Sequence, residues 1–79
     1  MTQRAFDGEI PRRELVALFW YLTEGSHKAA AHRLGVSEST SRQRVSRLIG
    51  RVGVRNAAQA VWALRRELDA ELAASRRRG

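Results

Sequence analysis

Cysteine is absent from this 79-residue chain, proline occurs once, aromatics make up 6% and acids are outnumbered by bases. Without cysteine, neither a disulfide nor a thiolate zinc site can brace the core. No apolar run approaches the ~20 residues that a membrane-spanning helix requires. Met1 to Ile10 is too polar for a signal peptide, so a cytoplasmic, nucleoid-associated protein with no membrane partner is expected. Also missing are a paired histidine and carboxylate at useful spacing and a glycine-rich phosphate loop. The expectation is therefore a protein that is not an enzyme, with no catalytic residues, no metal and no cofactor. His27 and His32 lie five residues apart, a spacing that does not bring both onto one helix face as four would. Solvent exposure or a phosphate contact is the role expected of them.

What remains is basic and helix-forming. Fifteen Lys and Arg against eight Asp and Glu give a net charge of +7 and a pI near 11.6, the balance of a chain that approaches phosphate or an anionic surface. Location matters more than the total. Lys28, Arg33, Arg42, Arg44, Arg47, Arg51 and Arg55 fall between Ser26 and Arg55, opposed only by Glu38. Elsewhere the charges nearly cancel, apart from Arg76, Arg77 and Arg78. Fourteen of the fifteen bases are arginine, a preference that GC-rich coding explains as well as function does.

A chain this short buries only about 60% of its unfolded surface, so helix packing must carry the fold, and a second subunit would help. The pattern predicts an all-α, four-helix domain over residues 10–75, after a loose arm over 1–9 and before a basic tail over 76–79. Pro11 suits a first helical turn, Leu15, Leu18, Phe19 and Leu22 share one face, and Gly25 stops helix one. Ser26 is an N-cap for an alanine-rich helix two through Leu34, which Gly35 ends in the left-handed conformation. Ser37 then opens helix three, with Glu38 favourable at its positive end. A helix, a three-residue turn starting with glycine, and another helix are the sequence form of a helix-turn-helix.

Val45, Leu48, Ile49 and Val52 give helix three an apolar face, and Gly53 its stop. Asn56 caps a long, extended helix four whose stripe is Ala57, Ala60, Val61, Leu64, Leu68 and Leu72. Its far end, Arg65 to Ala74, reads equally as a pairing surface for another helix or as a solvated end. Trp62, partly off the stripe, is a candidate dimer anchor or a partly buried core residue. Phe19 is read as core, while Trp20 and Tyr21 remain open between packing and base stacking.

At 100° per residue from Val45, the side chains of Ser39, Arg42, Gln43, Ser46 and Gly50 form one exposed strip, and Arg44, Arg47 and Arg51 an adjoining flank. Arginine can fork onto guanine O6 and N7, and glutamine onto adenine N6 and N7, so Arg42 and Gln43 are the leading base-contact candidates. Arg44, Arg47 and Arg51 are assigned to phosphates. The small Ser39, Ser46 and Gly50 would let the helix sink into a major groove roughly 12 Å wide. The competing reading is an ordinary solvated face, against which stand the density of arginine and the lack of compensating acids.

At this point the residues resemble the LuxR-type (FixJ/NarL) helix-turn-helix domain of bacterial transcription regulators. HRLGVSEST from His32 to Thr40 and RVSRLIGRVGVRNAAQAV from Arg44 to Val61 are close to that family's A-R-L-G-I-S-E-x-T and V-x-x-I-x-x-K-L-G-V-x-N-R-x-Q-A-V. Ile10 to Glu14 looks like its opening L-T-x-R-E. The resemblance covers roughly Ile10 to Leu64, without a net gap from Arg13 to Val61. It implies a four-helix domain with helix three in the major groove and helix four at a dimer interface. By position it implies base contacts from Arg42, Gln43 and Ser46 and backbone contacts from Thr40 and Arg47. Ser41 stands where a core valine is usual, which should loosen the helix junction or leave a hydroxyl bonding back to a backbone carbonyl. Gly25 lies one residue late.

The expected function is a stand-alone, sequence-specific transcription regulator that binds double-stranded DNA as a homodimer. Base contacts are assigned to Arg42, Gln43 and Ser46, and backbone contacts to Lys28, Ser39, Thr40, Arg44, Arg47 and Arg51. The dimer interface is assigned to Val61, Trp62, Leu64, Arg65, Leu68 and Leu72. The alternatives are a protein-interaction module whose last helix binds RNA polymerase, a sigma factor or another regulator, and a non-specific nucleoid-coating protein. The related fold of sigma-factor region four is ranked lower, because Gly53 to Val61 looks LuxR-like.

Overall fold

The computed structural model describes residues 10–78, so the expected arm over 1–9 lies outside the described residues. All of its elements are helices: α1 (Arg12–Glu24), α2 (His27–Leu34), α3 (Glu38–Val52), α4 (Ala57–Ala63) and α5 (Arg65–Arg78). Pro11 is the N-cap of α1 rather than its first helical residue, and its carbonyl accepts from the N–H groups of Glu14 and Leu15 at 3.0 and 3.2 Å. Ser26, Ser37 and Asn56 cap α2, α3 and α4 by accepting from the backbone N–H three residues on, as their side-chain chemistry predicts.

Gly35 adopts φ 72° at the end of α2, which allows the Val36 N–H to reach back to the Ala31 carbonyl at 3.1 Å. The paired carbonyl and the positive φ turn the chain sharply, so only residues 35–37 separate α2 from α3. Gly53 repeats the device after α3, at φ 83°.

α1, α2 and α3 pack against one another, α4 packs on α3, and α5 folds back on α1. Leu18, Leu48 and Leu64 are fully enclosed at the centre, joined by Ala17, Phe19, Val45, Val52, Ala60 and Leu68. Burying each of these leucines contributes about 1.5–3 kcal/mol. Of the three alanines expected to allow close approach, Ala30 and Ala31 are buried in the junction of α2 with its neighbours, and Ala29 is half-buried.

The expected single fourth helix is corrected to two. At Leu64 the backbone turns to φ −113° and ψ 19°, yet the Leu64 N–H still bonds to the Ala60 carbonyl and the Leu64 carbonyl accepts from Leu68, both at 2.9 Å. The bend therefore sacrifices little hydrogen bonding. It swings α5 onto α1, where Arg12 donates Nε and Nη2 to the Glu71 carboxylate at 3.0 Å each. Arg76 to Arg78, expected as part of a tail, belong to the last turns of α5. No described helix is long and apolar enough to cross a membrane.

Candidate nucleic-acid interface

The outward face of α3 follows from its inward one. Ser41, Val45, Leu48 and Val52 point into the core, which leaves Ser39, Arg42, Gln43, Ser46, Arg47 and Gly50 exposed. Arg44 is half-buried on the flank and Thr40 half-buried at the first turn. The strip anticipated for base contact is thus an open surface, and a Cβ built on Gly50 would meet nothing. The Ser37 hydroxyl accepts from the Thr40 N–H and donates to Thr40 Oγ1, both at 3.0 Å. Thr40 keeps its own hydroxyl hydrogen available for an acceptor outside the molecule.

The arginines of α3 fall into three conditions. Arg42 donates one Nη2 hydrogen bond to Glu38 Oε2, four residues earlier, and both side chains stay exposed. That hydrogen bond is the main reason the Glu38 carboxyl is held below its ordinary pKa. Arg44 and Arg47 pair with no carboxylate among the described residues. Arg51 is locked: Nε and Nη2 donate to the two oxygens of Glu14, each at 2.9 Å, and the Glu14 side chain is 1% exposed against 40% for Arg51. Those hydrogen bonds raise the Arg51 pKa above its ordinary value. Arg51, assigned to phosphate, thus spends two of its five donors inside the protein. A buried carboxylate needs a partner inside the protein, and Arg51 is that partner.

Lys28 is exposed at the start of α2, and the neighbouring His27, expected to face solvent or contact phosphate, is half-buried. His27 stacks on Tyr21 with ring centroids 4.1 Å apart and planes 12° from parallel. Its Nδ1 is buried without a hydrogen-bond partner. Burial pushes the imidazole below its ordinary pKa; the Arg42 cation adds to this and Glu38 opposes it. Tyr21 is therefore occupied within the chain, as is Trp20, which packs edge-on to Phe19 and carries the Arg33 guanidinium 4.2 Å above its ring. Glu24 accepts from Arg33 at 3.1 Å and fixes it there. Ser41 is fully buried and its hydroxyl has no partner, so of the two outcomes expected for it the bond to a backbone carbonyl does not form.

On the far side of the molecule the residues assigned to a dimer face divide. Leu64 and Leu68 are enclosed in the core of the single chain, because the bend at Leu64 turns the stripe inward against α1. Trp62 is 70% exposed, with Arg65 lying 5.1 Å from its ring and donating to its carbonyl. Leu22 and Leu72 are exposed at a groove between α1 and α4–α5, whose lining includes Val61, Arg65 and Asp69.

Sequence reasoning missed the inward role of Glu14 and the attachment of Arg42. The i,i+4 spacing of Glu38 and Arg42 was a usable signal for the second. Comparison of the chain with protein-family models, curated proteins and solved structures gives no match.

Proposed function

We propose that this chain is a sequence-specific transcription regulator of LuxR type, whose α2–turn–α3 unit is a helix-turn-helix that places α3 in the major groove of double-stranded DNA. The observation that carries the reading is an exposed face bearing Arg42, Gln43, Ser46 and Arg47, with Glu38 its only acid, on a helix whose opposite face is anchored in the core. Arg42 and Gln43 face base edges, with Ser46 beside them. Lys28, Ser39, Thr40, Arg44 and Arg47 meet the sugar–phosphate backbone and fix the register. This is a binding role, with no part for an enzyme.

Two copies pairing through α4–α5 would present two such helices to a paired half-site. Val61, Trp62, Arg65 and Leu72 are the residues left accessible for that contact. The exposed Trp62 also favours a second reading, in which the same face docks on RNA polymerase, a sigma factor or another regulator.

Selection of bound sequences from a random duplex pool, read by sequencing, tests the main reading. A recurrent motif, with affinity falling steeply as salt rises, is the expected result. Equal displacement by any competitor DNA would replace it with non-specific coating, and no duplex affinity in dilute buffer, together with a co-purifying transcription protein, would replace it with the docking module. Trp62→Ala should lower self-association in sedimentation while leaving helix content unchanged.

A further inference from the structure

We infer that Glu38 is a positioning residue for Arg42, holding its guanidinium ready for guanine while opposing attachment to phosphate of arbitrary sequence. This rests on the DNA-binding reading of α3.

The geometry has three parts. Glu38 and Arg42 are one helical turn apart at the start of α3, and a single Nη2 hydrogen bond joins them. A guanidinium has five N–H donors in a rigid fork, so one contact orients the group and leaves four donors free, enough for the O6 and N7 acceptors of guanine. One contact with Glu38 therefore leaves more of the fork for base reading than the two hydrogen bonds that Arg51 donates to Glu14 leave to Arg51. Finally, Arg44 and Arg47 on the same helix lack any such anchor among the described residues. The anchored arginine is the one on the strip that would face bases, and the unanchored pair includes the flank.

Two physical consequences follow, of opposite sign on different DNA. A side chain held in place before binding loses less rotational freedom when it docks, which favours the one site where its fork finds guanine. The Glu38 carboxylate meanwhile repels any nearby phosphate, an effect that acts on every duplex and weakens with salt. The net result is better discrimination at lower general affinity.

The test compares wild type, Glu38→Ala, Glu38→Gln, Arg42→Ala and the Glu38→Ala/Arg42→Ala double variant by fluorescence anisotropy. The probes are the duplex preferred by the wild type, the same duplex with the guanine sensed by Arg42 replaced, and a random duplex. Glu38→Ala should bind random duplex roughly two- to fivefold more tightly at low salt. Its preference for the guanine duplex over the replaced one should fall about tenfold. Glu38→Gln, keeping the length and a neutral hydrogen bond, should show the same gain on random duplex with a smaller loss of preference. In the Arg42→Ala background, Glu38→Ala should lose no further preference. Equal gains on all three duplexes would reduce Glu38 to a repelling charge and overturn the proposal. So would losses on all three that track a fall in Tm, which would make it a helix-terminus residue only, or a loss of preference that persists without Arg42. Absence of wild-type binding to any duplex would instead remove the DNA reading itself, and this proposal with it.

Discussion

At the C-terminal end of α3, Arg51 grips the buried Glu14 of α1 through two 2.9 Å hydrogen bonds, next to the enclosed Leu48 and Val52. At the N-terminal end, Arg42 touches the exposed Glu38 through one hydrogen bond, Ser41 hides an unpaired hydroxyl, and the nearby His27 hides an unpaired ring nitrogen. One helix thus has one end whose ion pair reaches into the core and another whose ion pair lies on the surface. The difference teaches how a charge-rich helix in a small domain can anchor the fold through one arginine and present another to the outside. The end that holds the fold buries its carboxylate and commits two of the arginine's five donors to it, and the end that faces outward keeps four donors in reserve.

The largest effect is expected from breaking the end paired with the core. Arg51→Ala strands the Glu14 carboxylate in the core, and thermal unfolding followed by circular dichroism should show Tm lowered by about 10 °C or more. Arg47→Ala, on the exposed face, should leave Tm nearly unchanged. If both variants melt alike, the two ends are not differently built.

Next comes a contrast among outward side chains, measured on DNA. Arg42→Ala or Gln43→Ala should reduce sequence preference about ten- to a hundredfold, whereas Arg47→Ala should weaken specific and random duplexes alike and reduce the salt slope by about one. Equal losses on both duplexes for all three would erase the division into base and backbone contacts.

A smaller effect is expected at the buried face of the other end. Ser41→Ala removes a hydroxyl that is enclosed without a partner, and urea unfolding should register a stabilisation of about 1 kcal/mol. A destabilisation would mean that the hydroxyl is satisfied in solution.

The smallest is a pH effect at His27. Its pKa is lower in the folded state than the ordinary 6.5, so the unfolded chain takes up a proton first. Stability is then full above the ordinary value and declines as pH falls below it toward the folded pKa. His27→Phe keeps a ring over Tyr21 and removes the titration. It should flatten the fall in Tm as pH drops below 6.5. An unchanged pH profile in the variant would place the titrating group elsewhere.

Much of this architecture was readable in advance, for local reasons. Ser26, Ser37 and Asn56 cap because a short polar side chain reaches the backbone N–H three residues later whatever the tertiary surroundings. Gly35 and Gly53 end helices because only glycine enters a positive φ without a steric penalty. The exposed strip of α3 was readable because helical periodicity alone determines which residues oppose Val45. The Glu38–Arg42 pair was missed, although its one-turn separation carried a signal of the same local kind.

Other features were illegible because they join distant residues. Glu14 and Arg51 are 37 residues apart, and neither periodicity nor charge shows that one will be buried and require the other. The stack of His27 on Tyr21 spans only six residues, but it depends on the angle at which α1 and α2 meet, which helical periodicity does not give.

By itself, the order of residues determined the helices, their stops and the basic outward face, since each depends on interactions within one or two turns. Only the tertiary structure decided that the last apolar stripe would bend at Leu64 and enclose Leu64 and Leu68 within the same chain, leaving Trp62 outside. It also decided which arginine serves the fold and which remain free. The physical reason is that burial and charge pairing depend on what the folded chain brings alongside, and a leucine stripe carries no mark of which helix will cover it.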